Sequence, residues 1–395
     1  MKTVAIVLAI LAVVFLSGFL YLKHRMNNTK DAKDLQAAID AEVAKFLKQP
    51  KPRGVVVGVY KGGQSFIKGY GTISGAADGT APDGATVFQI ASVSKVFTAT
   101  LLQILCDEGV VNMDATLNEL LGRSMPLSPT VQQVTLRQLA THTSGFPSIP
   151  QSLGERATEA AKDDDPLWDP YSHLGPQYIF DHLATAESKK AAGRFEYSNY
   201  GMGLLGHVLE KVTGKDYESM VNEKILTPLG MDGTGVKLSP SMLMHLAQGH
   251  TAEGSPTPIW HFAALTGAGA LNSTVQDVLK FIQANVDDGK LLSLPFEMMQ
   301  QPQFGGDTGI GWMQPTLIDK FLGNEQVVWH NGMVGGYASY LSIDEKTKTG
   351  VVILANKALP LDMLGMMLMR KVRTQSWSSY PLSDASSKRT PDGAA

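Results

Sequence analysis

Apolar residues recur along this chain at two periods. Leu35, Ile39, Val43 and Phe46 fall three or four apart within residues 31–49, the stripe of an amphipathic helix that Pro50 and Pro52 end. Residues 54–60 and 65–74 are instead rich in β-branched and aromatic side chains around Lys61-Gly62-Gly63, which predicts a β-hairpin. From Ser92 to about Leu265 the signals are mainly helices and long loops. One stripe runs Val93, Phe97, Leu101, Leu105 to a stop at Glu108-Gly109, and another runs Leu204, Leu205, Val208, Leu209 to Gly214. Thr135-Leu136-Arg137-Gln138 and Ser273-Thr274-Val275-Gln276 have the form of capping boxes, the second opening a helix towards Val286. Strands return between Gly309 and Asn356, and LDMLGMMLMRKV closes the fold as a helix whose methionines pack onto the sheet. Strands at both ends with helices between predict an α/β (α+β) fold, a mixed, mainly antiparallel sheet flanked by helices with an inserted all-helical lobe. Their junction is a natural cleft.

The first 25 residues stand apart. Val4 to Leu22 carries no charge, and nineteen helical residues span about 28 Å, enough for a bilayer core of ~30 Å. Lys23-His24-Arg25 does not resemble a cleavage site, so residues 1–25 read as a transmembrane signal anchor, with a cleaved signal peptide as the alternative. No cysteine lies nearby, so a lipid anchor is not expected. Residues 26–375 form one catalytic-sized domain, and residues 376–395, rich in Ser, Lys and Pro, read as a disordered tail. The net charge of −3, with signs interspersed, gives no basic face for nucleic acid. The single cysteine, Cys106, belongs to the apolar side of its helix and can form no disulfide within the chain. No cofactor is implied. The run Asp163-Asp164-Asp165 has no second ligand cluster, and His245 and His250 are not spaced for one helical face, so no metal site is expected. The long segment 151–177, with Trp168 and Tyr171 beside prolines, reads as a loop edging the cleft.

Candidate chemistry begins at Ser92-Val93-Ser94-Lys95. On a helix, residues three apart share a face, which puts the Lys95 amine within reach of the Ser92 hydroxyl. Ser65 and Lys68 repeat the spacing on a strand, where they point to opposite faces and cannot meet. Tyr197-Ser198-Asn199 sits at a loop-to-helix junction, and His330-Asn331-Gly332 follows a strand. A literal Lys348-Thr349-Gly350 lies in the polar run 344–350 between two strands and reads as a hairpin turn, with Gly350 at positive φ. His173-Leu174-Gly175 has no strand before it. A Gly-x-Ser-x-Gly elbow is absent, which argues against an α/β-hydrolase.

Ser-x-x-Lys, Tyr-x-Asn and His-x-Gly in this order resemble the penicillin-recognising serine hydrolases, specifically the branch of class C β-lactamases, D-alanyl-D-alanine carboxypeptidases and β-lactamase-like esterases. FQIASVSKVFTA, LATHTSGFP, ILTPLGMDGTGV and GGYASYLSIDEKTKTGVVILANKALP carry the resemblance over roughly residues 54–360. It implies a β-lactamase/transpeptidase-like fold and an acyl-enzyme at Ser92, with Lys95 and Tyr197 as proton-transfer groups. It implies Asn199, His330, Asn331 and Gly332 at the substrate, Asn199 also holding Lys95, and the backbone N–H groups of Ser92 and Met333 at the oxyanion. Class C enzymes usually have lysine where this chain has His330. A histidine of pKa near 6.5 is only fractionally charged at pH 7, which implies weaker anchoring of a substrate carboxylate. The substrate class is then a β-lactam, a D-amino-acid peptide or an ester. The resemblance implies an exported domain, periplasmic or extracytoplasmic, whereas Lys23, Arg25, Lys30 and Lys33 argue the opposite orientation. The other reading is a non-hydrolytic penicillin-recognising sensor or a structural membrane protein that kept the fold.

Overall fold

The computed structural model describes residues 35–48, 54–74, 79–150, 169–172, 174–186, 193–287, 296–304 and 306–374. The expected anchor (1–25), the tail (376–395), the triple aspartate and Trp168 lie outside them. By its internal contacts the chain divides into residues 1–41 with 374–395, and residues 42–373; the second unit holds everything that follows. Among the described residues no helix is long and apolar enough to cross a membrane.

Two hairpins from opposite ends of the chain make one sheet. β1 (Val55–Lys61) and β2 (Gln64–Tyr70) are joined by Gly62 and Gly63, both at positive φ, the conformation a two-residue hairpin turn demands. Two short antiparallel pairs follow: β3 (Val87–Gln89) with β6 (Asn272–Thr274), and β4 (Gly249–His250) with β5 (Pro256–Thr257). β7 (Val328–Val334), β8 (Tyr337–Asp344) and β9 (Thr349–Ala355) then complete an antiparallel sheet of order β2-β1-β9-β8-β7. β8 and β9 are buried along their whole length, and this is why β9 reads as an unbroken apolar run from Val351 to Ala355 rather than an alternating one.

The helices used below are α1 (Ser94–Asp107), α2 (Asn199–Thr213), α3 (Val275–Val286) and α4 (Asp362–Thr374). α3 and α4 cover opposite faces of the sheet, each seated by glycine. A Cβ on Gly58 or Gly350 would stand 2.4 Å from Val275 or 2.3 Å from Ile282 of α3, and one on Gly365 of α4 would stand 2.2 Å from the Tyr340 ring. Gly350 is therefore a packing glycine inside β9, not the turn residue expected. The positive φ of that turn falls on Lys348, at 47°. The capping box expected at Ser273 is also displaced by one residue: Thr274 caps α3 by accepting from the Asp277 amide. The box at Thr135 is formed as read, with Gln138 reciprocating.

The β3–β6 pair ties the entrance of the helical lobe, just before Ile90, to its exit, just after Leu271. α1 runs through its centre. Every residue from Ser94 to Leu105 is buried, and Phe97 stacks on Phe281 of α3 at 4.2 Å. The hydroxyls of Thr98 and Thr100 return to the carbonyls of Ser94 and Val96 one turn back, which lets polar residues occupy a helix that is inside all round.

Candidate active site

Ser92 lies on a 3-10 turn, Ala91–Val93, immediately before α1. Ala91 takes a left-handed φ of 48°, a conformation costly for a residue with a Cβ and one that persists where its surroundings hold it. The surroundings are identifiable: the Ile90 amide donates to Leu271 O, its carbonyl accepts from the Ser339 hydroxyl of β8 at 2.7 Å, and the Ser94 hydroxyl accepts from the Leu271 amide. Sheet and lobe thus grip the turn from both sides.

Lys95 is fully buried. Its Nζ donates to Ser92 Oγ at 2.8 Å and to the carbonyl of Ala268 at 2.8 Å. Burial pushes its pKa well below the ordinary lysine value, because a low-dielectric interior penalises the charged form. Ala268 reaches it because helix Thr266–Gly269 lies against α2 at glycines: a Cβ on Gly206 would stand 3.2 Å from Gly267, and one on Gly203 2.8 Å from Leu265.

Tyr197 precedes α2, with Ser198 as its N-cap. Its hydroxyl shares a hydrogen bond with Ser92, and burial pushes its pKa up to about 12 against the lowering effect of that bond. Lys95 Nζ stands 5.1 Å from the centre of its ring. The LATHTSGFP segment cradles the loop that carries it. His142 O and Thr143 O accept from the amides of Glu196 and Gly193, and Pro147 O accepts from the Ser198 hydroxyl.

His142 is the residue that sequence reasoning missed. It takes a φ of 56°, lies against Tyr197 with ring centres 4.5 Å apart and planes tilted by 34°, and accepts the Ser198 amide on Nδ1 at 3.1 Å. Burial, then Lys95, then His330 hold its pKa well below the usual imidazole value. The local cue was a histidine inside a polar loop triplet that belonged to no helical or strand period.

On β7 the expected triplet splits between the two faces of the sheet. His330 and Gly332 face the nucleophile. A Cβ on Gly332 would stand 2.7 Å from the Ser92 nitrogen and 2.7 Å from Ile90 O, so no larger residue fits. Asn331, expected at the substrate, turns to the other face and donates to Asp362 of α4 at 2.7 Å. This follows from strand alternation. Met333 closes the group with a half-exposed side chain. Val334 and Tyr337 flank a two-residue turn, and Trp329 directs its amide and carbonyl away from β8 to Met313. By the same alternation the Met333 amide points off the free edge of the sheet.

Two further expectations are corrected. Asn199 begins α2 but is not among the hydrogen-bond partners of Lys95; the Ala268 carbonyl fills that place. His330 is not fractionally charged. It is 1 % exposed, and burial, reinforced by Lys95, lowers its pKa to about 3. Among the described residues no cluster of His, Cys, Asp and Glu could hold a metal ion.

A serine hydroxyl bonded to a buried amine and a buried phenol, against a sheet edge, is the constellation of a serine acyl-transfer enzyme. Comparison with known proteins agrees: the β-lactamase family model matches residues 39–371. A β-lactamase of Lysobacter lactamgenus is 26% identical over 368 residues, covering 83% of this chain and 89% of its own length. The D-alanyl-D-alanine-carboxypeptidase/endopeptidase AmpH of Escherichia coli (strain K12) is 25% identical over 329 residues, covering 77% and 80%. The β-lactamase/D-alanine carboxypeptidase of Pseudomonas syringae shares the fold with a TM-score of 0.73 at 20% identity, over 87% of this chain and 99% of that one. The chain belongs to the β-lactamase family and is a serine hydrolase.

The imidazole assignments are directly measurable. His330 Nδ1 donates to the Asn331 carbonyl at 2.7 Å, so in 15N-detected NMR it should keep the Nδ1–H neutral pattern from pH 5.5 to 8, with no titration near 6.5. A titrating His330 signal in that range would contradict the burial described here.

Proposed function

We propose that Ser92 attacks a carbonyl to form an acyl-enzyme, with Lys95 and Tyr197 moving the proton from Ser92 Oγ to the departing nitrogen or oxygen. The observation that carries this is the 2.8 Å bond from the fully buried Lys95 amine to Ser92 Oγ. Burial that disfavours the ammonium form makes this lysine a better proton acceptor than an exposed one. Tyr197 shares the hydroxyl from a second direction. The backbone amides of Ser92 and Met333 are the oxyanion donors of this reading, and Gly332 lets β7 approach closely enough for both to serve. After acylation, water takes the place of the leaving group and the same pair returns its proton to Ser92.

The substrate on this reading is a small molecule or peptide with an activated or strained acyl group: a β-lactam, a D-amino-acid peptide or an ester. The relatives include both a β-lactamase and a D-alanyl-D-alanine-carboxypeptidase/endopeptidase. The non-hydrolytic alternative gains no support from the site, where Ser92, Lys95 and Tyr197 are hydrogen-bonded together. Cell-wall substrates lie outside the cytoplasm, so the domain is taken to be exported and tethered by residues 4–22. Protease added to intact cells stripped of their wall should then digest it, and complete protection would contradict that orientation.

A fluorescent penicillin or a fluorophosphonate should label the wild type and not Ser92→Ala, read by gel fluorescence. Tyr197→Phe should lower kcat/KM for a short-chain p-nitrophenyl ester by roughly 10²–10⁴, the range for loss of a positioned proton-transfer group. Folded wild-type protein that is never labelled or turned over would overturn the enzymatic reading.

A further inference from the structure

One residue holds Tyr197 from three directions. The His142 carbonyl accepts from the Glu196 amide at 2.7 Å, its Nδ1 accepts from the Ser198 amide at 3.1 Å, and its ring lies against the Tyr197 ring with centres 4.5 Å apart. The residue before Tyr197, Tyr197 itself and the residue after it are each met by a different part of His142. It does this at a left-handed φ of 56°, a conformation that strains a residue with a Cβ and persists where the surroundings over-determine it.

The grip is anchored to the nucleophile helix. His142 follows the short helix Leu136–Ala140, whose last carbonyl, Ala140 O, accepts from the Gly311 amide at 3.0 Å. Gly311 in turn lies on α1: a Cβ there would stand 3.2 Å from Lys95 O and 2.4 Å from the Ala99 side chain. A line of close contacts thus runs from α1 through Gly311, Ala140 and His142 to the phenol. The Ser198 bond also fixes the imidazole tautomer. An amide N–H can only donate, so Nδ1 is the bare nitrogen and the neutral ring carries its proton on Nε2. Ser198 is fully buried, so loss of that acceptor would leave a buried donor unpaired beside Tyr197.

We propose, resting on proton transfer through Tyr197, that His142 is a positioning residue. Its imidazole, as acceptor to Ser198 and as a face for Tyr197, holds the phenol oxygen on Ser92 and takes no part in proton transfer itself. Its effect on the reaction is exerted wholly through the Tyr197 hydroxyl. A residue that only stabilised the loop would act independently of that hydroxyl.

A double-mutant cycle separates the two. His142→Phe keeps a ring against Tyr197 and removes the acceptor, whereas His142→Asn keeps an acceptor on Cγ and suits a left-handed backbone. With a short-chain p-nitrophenyl ester, His142→Phe should lower kcat/KM by roughly 10–10²-fold, the scale of a misplaced catalytic group. In a Tyr197→Phe background the same change should cost less than about two-fold, because the hydroxyl it places is already gone. His142→Asn should recover most of the loss. Circular dichroism melting establishes that each variant is folded. A further readout needs no variant in the reaction: in 15N-detected NMR of the wild type, His142 should carry its proton on Nε2, the opposite tautomer to His330. Equal losses in both backgrounds, His142→Asn no better than His142→Phe, a folded and fully active His142→Phe, or an Nδ1–H signal from His142 would each overturn the inference. Tyr197→Phe alone retaining wild-type kcat/KM is a distinct outcome, which would remove the proton-transfer role of Tyr197 and the inference with it.

Discussion

The burial of one amine organises this protein. Moving an ammonium out of water costs several kcal/mol even after relaxation, and Lys95 has no carboxylate partner to offset it among the described residues. It has instead a hydroxyl and a carbonyl, Ser92 Oγ and Ala268 O, each at 2.8 Å. Those partners suit a neutral amine as well as a charged one. Much of the nearby architecture can be traced to supplying them. Glycines at 203, 206 and 267 bring the Ala268 turn onto α2, and the left-handed Ala91 turns Ser92 back over the first turn of α1.

The same burial sets the charge state of the neighbours. His142 and His330 both have pKa values lowered first by desolvation and then by Lys95. Lys95 thus shares a dry site with two imidazoles on which it disfavours a proton. With the imidazoles neutral over the working range, Lys95 and Tyr197 are the two side chains hydrogen-bonded to Ser92. His142 lies against the Tyr197 ring and accepts the Ser198 amide.

The Ser92–Lys95 pair was legible in the sequence because helical periodicity decides which residues meet, and strand periodicity removes the duplicate at Ser65 and Lys68. The sheet was legible because β9, buried on both faces, leaves an uninterrupted apolar run from Val351 to Ala355. Ala268 was not legible, since a backbone carbonyl leaves no mark in side-chain pattern and lies 173 positions from Lys95. His142 was hidden by its loop conformation. Asn331 shows a different failure. His330-Asn331-Gly332 was read as one recognition unit, although alternation along a strand alone separates Asn331 from its neighbours. The state of His330 depended on burial and on which nitrogen meets Asn331 O, and only the folded environment supplies either.

The central claim is that Lys95 is held with its amine readily deprotonated beside Ser92. It is tested most directly by 13C,15N-lysine NMR titration of the folded protein, with the Lys95 signal assigned by its absence in Lys95→Met. The account predicts one lysine titrating well below 10.5, the direction that burial imposes, in wild type and not in the variant. A Lys95 resonance that titrates with the exposed lysines, near the model-peptide value of about 10.4, would contradict it.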